Sequence, residues 1–215
     1  MRYEERLYKQ VQEDMKTKMI KTIPAIVIPN YSIKKFTRWI KSCSQSVQYS
    51  IMILDVSGSM ENYYQSLIQM ANKIIKNQMK NSNNRIIVIF FGNSAKTVLK
   101  ENHRLLTIDD IYIANVGGGT SFYNAFKEAV KYIYPFGFYN DKRLLFLTDG
   151  KCNINGLSPL RNEILAAGFS IHILGFGQEQ YFDPLKPFIG NNGSFQVYYK
   201  FEDVVSSAVK IFAAE

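Results

Sequence analysis

Cysteine is scarce in this chain. Cys43 and Cys152 are the only two in 215 residues; they make no disulfide framework, and their spacing fits no zinc pattern. The expectation is two free thiols in a reducing, intracellular and cytoplasmic compartment, with a single disulfide as the alternative. Histidine is equally sparse, at His103 and His172. His172 alternates with Ile171 and Ile173 in a strand-like run and reads as a hydrogen-bonded residue rather than a general base. No apolar run approaches the ~18 to 20 residues that a membrane-spanning helix needs, so no transmembrane segment is expected. The opening Met1-Arg2-Tyr3-Glu4-Glu5-Arg6 mixes charges of both signs and has no apolar h-region, so no secretory signal is expected. There is no G-x-x-x-x-G-K-[ST] loop, which disfavours a P-loop nucleotide site. There is no G-x-S-x-G elbow either, and no base stands near the serines in sequence. These absences argue against an enzyme.

What is present is ample core material and an uneven charge. Hydrophobic residues make up 47% of the chain, so disorder is not its main state. The formal charge is +8. Residues 1–48 carry ten Lys and Arg against four Asp and Glu, and residues 49–215 carry 16 against 14. A nucleic acid or an anionic membrane, if either is a partner, is therefore only weakly suggested, and only by the first segment. Within it Tyr3, Leu7, Val11, Met15 and Met19 recur every four residues and predict a helix over 2–21 with one narrow apolar stripe. Residues 23–29 carry two prolines and read as extended chain kept out of a sheet centre. A second basic patch, Lys34-Lys35 through Arg38-Trp39 and Lys41, predicts a short amphipathic helix.

From residue 49 the pattern changes. Apolar strand-length runs at 49–54, 86–91, 144–147 and 171–176 alternate with helix-period segments at 62–79, 122–133, 157–167 and 201–213. Short strands are expected at 97–99 and 197–199. Strands apolar on both faces and separated by helices indicate a mostly parallel sheet covered on both sides. The expected fold class is a doubly wound, Rossmann-like α/β domain over 49–215, preceded by a basic N-terminal extension over 1–48. Ligands in such folds sit outside the carboxyl ends of the strands.

Three loops at those ends carry oxygen donors. Asp55-Val56-Ser57-Gly58-Ser59 follows the first apolar run. Alternate side chains of an extended turn share a side, so Asp55, Ser57 and Ser59 can aim three oxygens at one point. That is a hard donor set suited to Mg2+ or Mn2+ rather than zinc. Helix capping would explain one of the serines, but not an Asp ending an apolar strand. Gly117-Gly118-Gly119-Thr120-Ser121 precedes a helix; its glycines permit close backbone approach and Thr120 adds a hydroxyl. A phosphate cradle or a flexible cap is the competing explanation. Thr148-Asp149-Gly150 places a second carboxylate at the same sheet edge. Two carboxylates brought together without a cation would repel and raise one pKa; a divalent cation relieves the conflict.

Taken in this order, the motifs resemble the von Willebrand factor A domain family. The matching residues are D-x-S-x-S at Asp55, Ser57 and Ser59, Thr120 after three glycines, and T-D-G at Asp149; Ile173-Leu174-Gly175-Phe176-Gly177 is similar to a following strand end. The resemblance covers about residues 49–213 and leaves the first 48 unexplained. It implies a metal-ion-dependent adhesion site. Ser57, Ser59 and Thr120 would supply hydroxyl oxygens, and Asp55 and Asp149 would act directly or through water. An open coordination position would take a Glu or Asp carboxylate from a protein partner. Glu61, Asn62, Tyr123, Lys151 and Asn153 follow the motif positions and form a candidate ligand rim. In some family members the C-terminal helix moves with the metal site; here that helix would span 201–213. The expected function is a metal-dependent protein-interaction module within a larger intracellular assembly. The alternative is a structural subunit or scaffold that works through its N-terminal extension. A Mg2+-dependent hydrolase or a nucleic-acid binder ranks below both.

Overall fold

The computed structural model describes residues 47–100, 104–135, 139–150 and 154–212. The chain divides into two units, Met1–Gln45 and Ser46–Glu215, and the description concerns the second. The helix expected over 2–21, the extended segment 23–29, the basic patch after it, Cys43, His103, Lys151, Cys152 and Asn153 all lie outside the described residues.

Six strands form one sheet: β1 (Gln48–Asp55), β2 (Arg85–Phe91), β3 (Ala95–Lys100), β4 (Asp141–Thr148), β5 (Ser170–Phe176) and β6 (Ser194–Tyr198), in the order β3-β2-β1-β4-β5-β6. Every pairing is parallel except that of β3, which runs antiparallel to β2 at the edge. The described helices are α1 (Tyr64–Gln78), α2 (Ile108–Ala114), α3 (Phe122–Val130), α4 (Leu157–Ala166) and α5 (Phe201–Ile211), with 3-10 turns at Gly58–Tyr63, Glu179–Tyr181 and Asp183–Phe188.

The two-faced apolar strands produce two cores. All eight residues of β1 are buried, as a central strand between two helix layers requires. Successive side chains point to opposite faces. Met52 and Leu54 join Val88, Leu145 and the inner faces of α1, α2 and α5. Ile51 and Ile53 join Ile87, Phe146 and the inner faces of α3 and α4. This is the doubly wound architecture expected from the alternating pattern.

The differences from expectation lie where packing is weakest. Met79, the last residue of the helix expected over 62–79, follows the end of α1 and is 40% exposed. The helix α2 was not foreseen from periodicity, being only seven residues long and carrying Asp109 and Asp110 in its first turn. Its start is nonetheless marked locally. The Asp110 carboxylate accepts the Thr107 backbone N–H at 2.8 Å and a two-pronged contact from Arg104 at 2.7 and 3.0 Å. That is the reciprocal half of a capping box.

From β1 the chain runs outward to β2 and β3, then returns to place β4 on the other side of β1. The topological switch point therefore falls between the carboxyl ends of β1 and β4, where ligands of such folds collect. Leu54 pairs with Leu147 across this seam, bringing Asp55 beside Thr148. At the opposite, amino end of the sheet, Gln78 Nε2 donates to Gln48 Oε1 at 2.5 Å and to the Phe212 carbonyl at 3.4 Å. The first strand and the end of the last helix thus meet there.

Phe146 holds the second core together. Its ring is fully buried and lies 5.2 Å from Phe91, 5.0 Å from Phe122 and 5.0 Å from Phe126. Phe146→Ala is expected to cost about 3 to 5 kcal/mol in urea denaturation. Tyr199→Ala, at a ring that is 75% exposed, should stay within about 0.5 kcal/mol of wild type.

Candidate metal centre

Asp55 ends a central strand, so its carboxyl group is delivered to the switch point fully buried. Two contacts fix it. Thr148 Oγ1 donates to Oδ2 at 2.5 Å, and the Ser57 backbone N–H donates to Oδ1 at 2.9 Å. The first is the short hydrogen bond expected of a hydroxyl on a carboxylate. Thr148 Oγ1 in turn accepts the Gly150 N–H at 3.1 Å, tying the third loop to the first.

The hydroxyls continue the chain outward. Ser57 Oγ lies 3.2 Å from Ser59 Oγ, and Ser59 Oγ donates to Asp149 Oδ1 at 2.9 Å. Ser57 is the N-cap residue of the 3-10 turn, yet its side chain bonds no backbone N–H there. Capping therefore does not occupy its hydroxyl. In the second loop the cap of α3 falls to Ser121, whose side chain accepts the Asn124 N–H. Thr120 lies against the third loop: a Cβ built on Gly150 would stand 3.5 Å from Thr120 Oγ1. The structure thus brings Asp55, Ser57, Ser59, Thr120 and Asp149 to one loop cluster.

The backbone beneath is tightly braced. Tyr64 on α1 donates its hydroxyl to the carbonyls of Val56 at 2.7 Å and Ser57 at 3.2 Å. The Gly58 N–H bonds Gly118 O at 3.2 Å, and the Ser121 N–H bonds Gly92 O at 2.7 Å. Gly92 admits no side chain, because a Cβ there would sit 2.3 Å from Gly117 O. Thr148, Tyr64 and Gly92 had no role in the sequence reading. For Thr148 a sign existed: a hydroxyl on the last residue of a buried strand, just before the Asp. Of the rim residues, Glu61 and Asn62 are exposed on the 3-10 turn. Tyr123, on the first turn of α3, is 42% exposed and packs beside Lys127.

Electrostatics set the site's chemistry. Burial pushes the Asp55 carboxyl up to about 6, against hydrogen bonds from Thr148 and Ser57 that favour its ionised form. Burial also raises Asp149, opposed by the Ser59 hydroxyl. Among the described residues no group of three or more His, Cys, Asp and Glu converges, so hydroxyls would have to complete any cation's shell. The donor set fits a hard divalent cation. Two carboxylates held above their ordinary range, with serine hydroxyls bridging them, supply oxygen donors only, and a 2+ charge would return both to the ionised form.

In the cation-free protein this linkage has a definite sign. A carboxyl raised in the folded state binds its proton more tightly than in the unfolded chain, so its contribution to stability is lost as pH rises toward about 6. Asp55→Asn lacks this titration. Relative to wild type, the variant should gain up to about 3 kcal/mol of stability between about pH 4 and pH 7, measured by denaturant unfolding in chelator. A difference that does not move with pH would refute the assignment.

A doubly wound α/β domain with oxygen donors gathered at its switch point defines the class, and comparison with known proteins shows which domains share its fold. The fold is that of von Willebrand factor type A domains, and residues 50–151 match the family model of that description. A von Willebrand factor type A protein from Catenulispora acidiphila aligns with a TM-score of 0.60 at 16% identity, over 79% of this chain and 44% of that one. Proximal thread matrix protein 1 from the mussel byssus, in a form with a zinc-occupied MIDAS motif, aligns at 0.58 and 19% identity over 78% and 47%. The VWA domain of SpRpn10 aligns at 0.57 and 13% identity over 79% and 99%. The chain thus spans less than half the length of the first two and nearly all of the third. No curated protein sequence matches it.

Proposed function

We propose that this domain is a cation-dependent protein-interaction module that grips an acidic side chain of a protein partner. The observation that carries the proposal is the continuous hydrogen-bonded row from Thr148 through Asp55, Ser57 and Ser59 to Asp149. It links two carboxylates that burial drives toward their protonated forms. Asp55, Ser57, Ser59, Thr120 and Asp149 would hold the ion, and the all-oxygen donor set favours Mg2+ or Mn2+. A bound ion of this kind supplies a hard Lewis-acid position at which a water is exchanged for a carboxylate oxygen.

The chain's own residues divide the remaining work. Thr148 and the Ser57 N–H aim the Asp55 carboxylate, so the pocket floor is set in advance. Ser59 is exposed and opens the row to solvent, where a partner's carboxylate would arrive. Glu61 and Asn62, exposed shortly after Ser59, and Tyr123, exposed shortly after Thr120, would border this mouth, and a tyrosine ring suits an interface that is apolar below and wet above. Repulsion from Glu61 would select against acidic ligands approaching from its side. The proposal assigns binding and no turnover. Among the described residues the one histidine, His172, is bonded to Ser194 Oγ at 2.8 Å and Ser170 Oγ at 3.1 Å, near the other end of β5. Among the described residues no helix is long and apolar enough to cross a membrane.

Calorimetric titration of wild type with MgCl2 and MnCl2 should show uptake of one ion. Asp55→Ala should abolish it, and Ser59→Ala, at an exposed position, should weaken it by about 10- to 100-fold. Side-by-side affinity purification should recover partners with wild type in Mg2+ that are missing with either variant and with chelator. Partners retained equally by all samples would sink the proposal.

A further inference from the structure

A groove of about 770 Å3 opens at the amino ends of β4 and β5, far from the loop cluster. The eight residues of β4 separate the two ends by roughly 25 Å. Among its lining residues are Lys142, Arg143, Arg161 and Lys210, with Asp141 as the one carboxylate. Arg143 pairs with Asp141 at 2.7 Å. Among the described residues no carboxylate pairs with Lys142, Arg161 or Lys210.

Two of these unpaired cations are held in place by main-chain oxygens instead. Lys142 Nζ donates to the Ala167 carbonyl at 2.8 Å, where α4 ends. Arg161 donates to the Pro187 carbonyl at 2.8 Å and the Phe188 carbonyl at 3.4 Å. Arg143 donates to the Ile211 carbonyl, the last residue of α5. Such bonds orient a cation without cancelling its charge. The two helix carboxyl ends offset roughly half a charge each. Against a formal +3 from the five charged residues, about +2 is left uncompensated in one concavity among the described residues. Partial burial of Lys142 disfavours its charged form, which a nearby anion would restore.

We propose that this groove binds a compact, multiply charged phosphate anion. Its volume is that of a small-molecule site. Its charges are gathered in one hollow rather than spread in the stripe that tracks a nucleic-acid strand, and its one aromatic, Phe169, is 3% exposed and offers no face for a base to stack on. The Asn191 and Asn192 amides add neutral donors. The phosphate could be free in solution or carried on a lipid headgroup.

The test uses the full chain and sodium tripolyphosphate, titrated by calorimetry at fixed ionic strength. Wild type should bind it. Lys210→Glu, at an exposed side chain, should weaken binding about tenfold or more, since one attractive charge becomes repulsive. Arg161→Gln should also weaken it, with unchanged circular dichroism. Co-sedimentation with phosphatidylcholine vesicles carrying a phosphoinositide, against phosphatidylserine at equal surface charge, separates the two sources: selective sedimentation lost in Lys210→Glu supports the headgroup, and its absence alongside tripolyphosphate binding supports the free anion. Failure to bind tripolyphosphate, or binding that survives both substitutions and so belongs to residues 1–48, overturns the proposal. So does tighter binding of a mixed-sequence RNA that the same substitutions abolish. Asp55→Ala should leave tripolyphosphate binding unchanged, which keeps this result separate from that of the metal loops.

Discussion

The buried carboxylate at the end of β1 is the constraint to which the rest of the domain answers. Asp55 ends a central strand with helices on both faces and is fully buried there. An ionised carboxylate in that position is costly unless it is hydrogen-bonded or neutralised. Thr148 and the Ser57 N–H supply the bonds, but burial still dominates and raises the group. The surrounding sequence is organised to hold this unfavourable group in one geometry. Tyr64 clamps the loop carbonyls, Gly92 lets the glycine-rich loop approach, and the parallel register sets Thr148 alongside. A site that keeps such a strained charge is more informative than the same residues scattered on a surface, because core packing alone would have placed an apolar side chain there.

Much of this was legible in the sequence, because two strong signals agree. The apolar runs of β1, β2 and β4 are too uniform for half-exposed strands, and each ends in, or just before, a loop rich in hydroxyls, carboxylates or glycine. Strand type and loop chemistry therefore pointed to the same sheet edge. Elements held by a few local contacts were harder to read. The helix α2 rests on one capping interaction and two buried residues, and its period is too short to stand out. Of the two 3-10 turns between β5 and β6, the second carries Pro184 and Pro187, and neither has an apolar repeat. The expected start of the first helix near Asn62 missed the 3-10 turn over Gly58–Tyr63, where backbone bracing by the loops replaces helical periodicity.

The basic groove shows a different limit. Its cations come from the first residues of β4, the middle of α4 and the last turn of α5. In sequence each is an ordinary charged residue, and the summed charge of residues 49–215 is close to balanced. Only topology, which sets β4 and β5 side by side and ends α4 and α5 beneath them, converts that balance into a local excess. Composition averages over the fold, and the fold undoes the average.

The meeting of Gln48, Gln78 and Phe212 has a mechanical consequence. The chain enters β1 and leaves α5 at one pole of the sheet, while the oxygen-bearing loops crown the other. A force applied between those two poles would run lengthwise along parallel strands, shearing many hydrogen bonds together instead of peeling them apart singly.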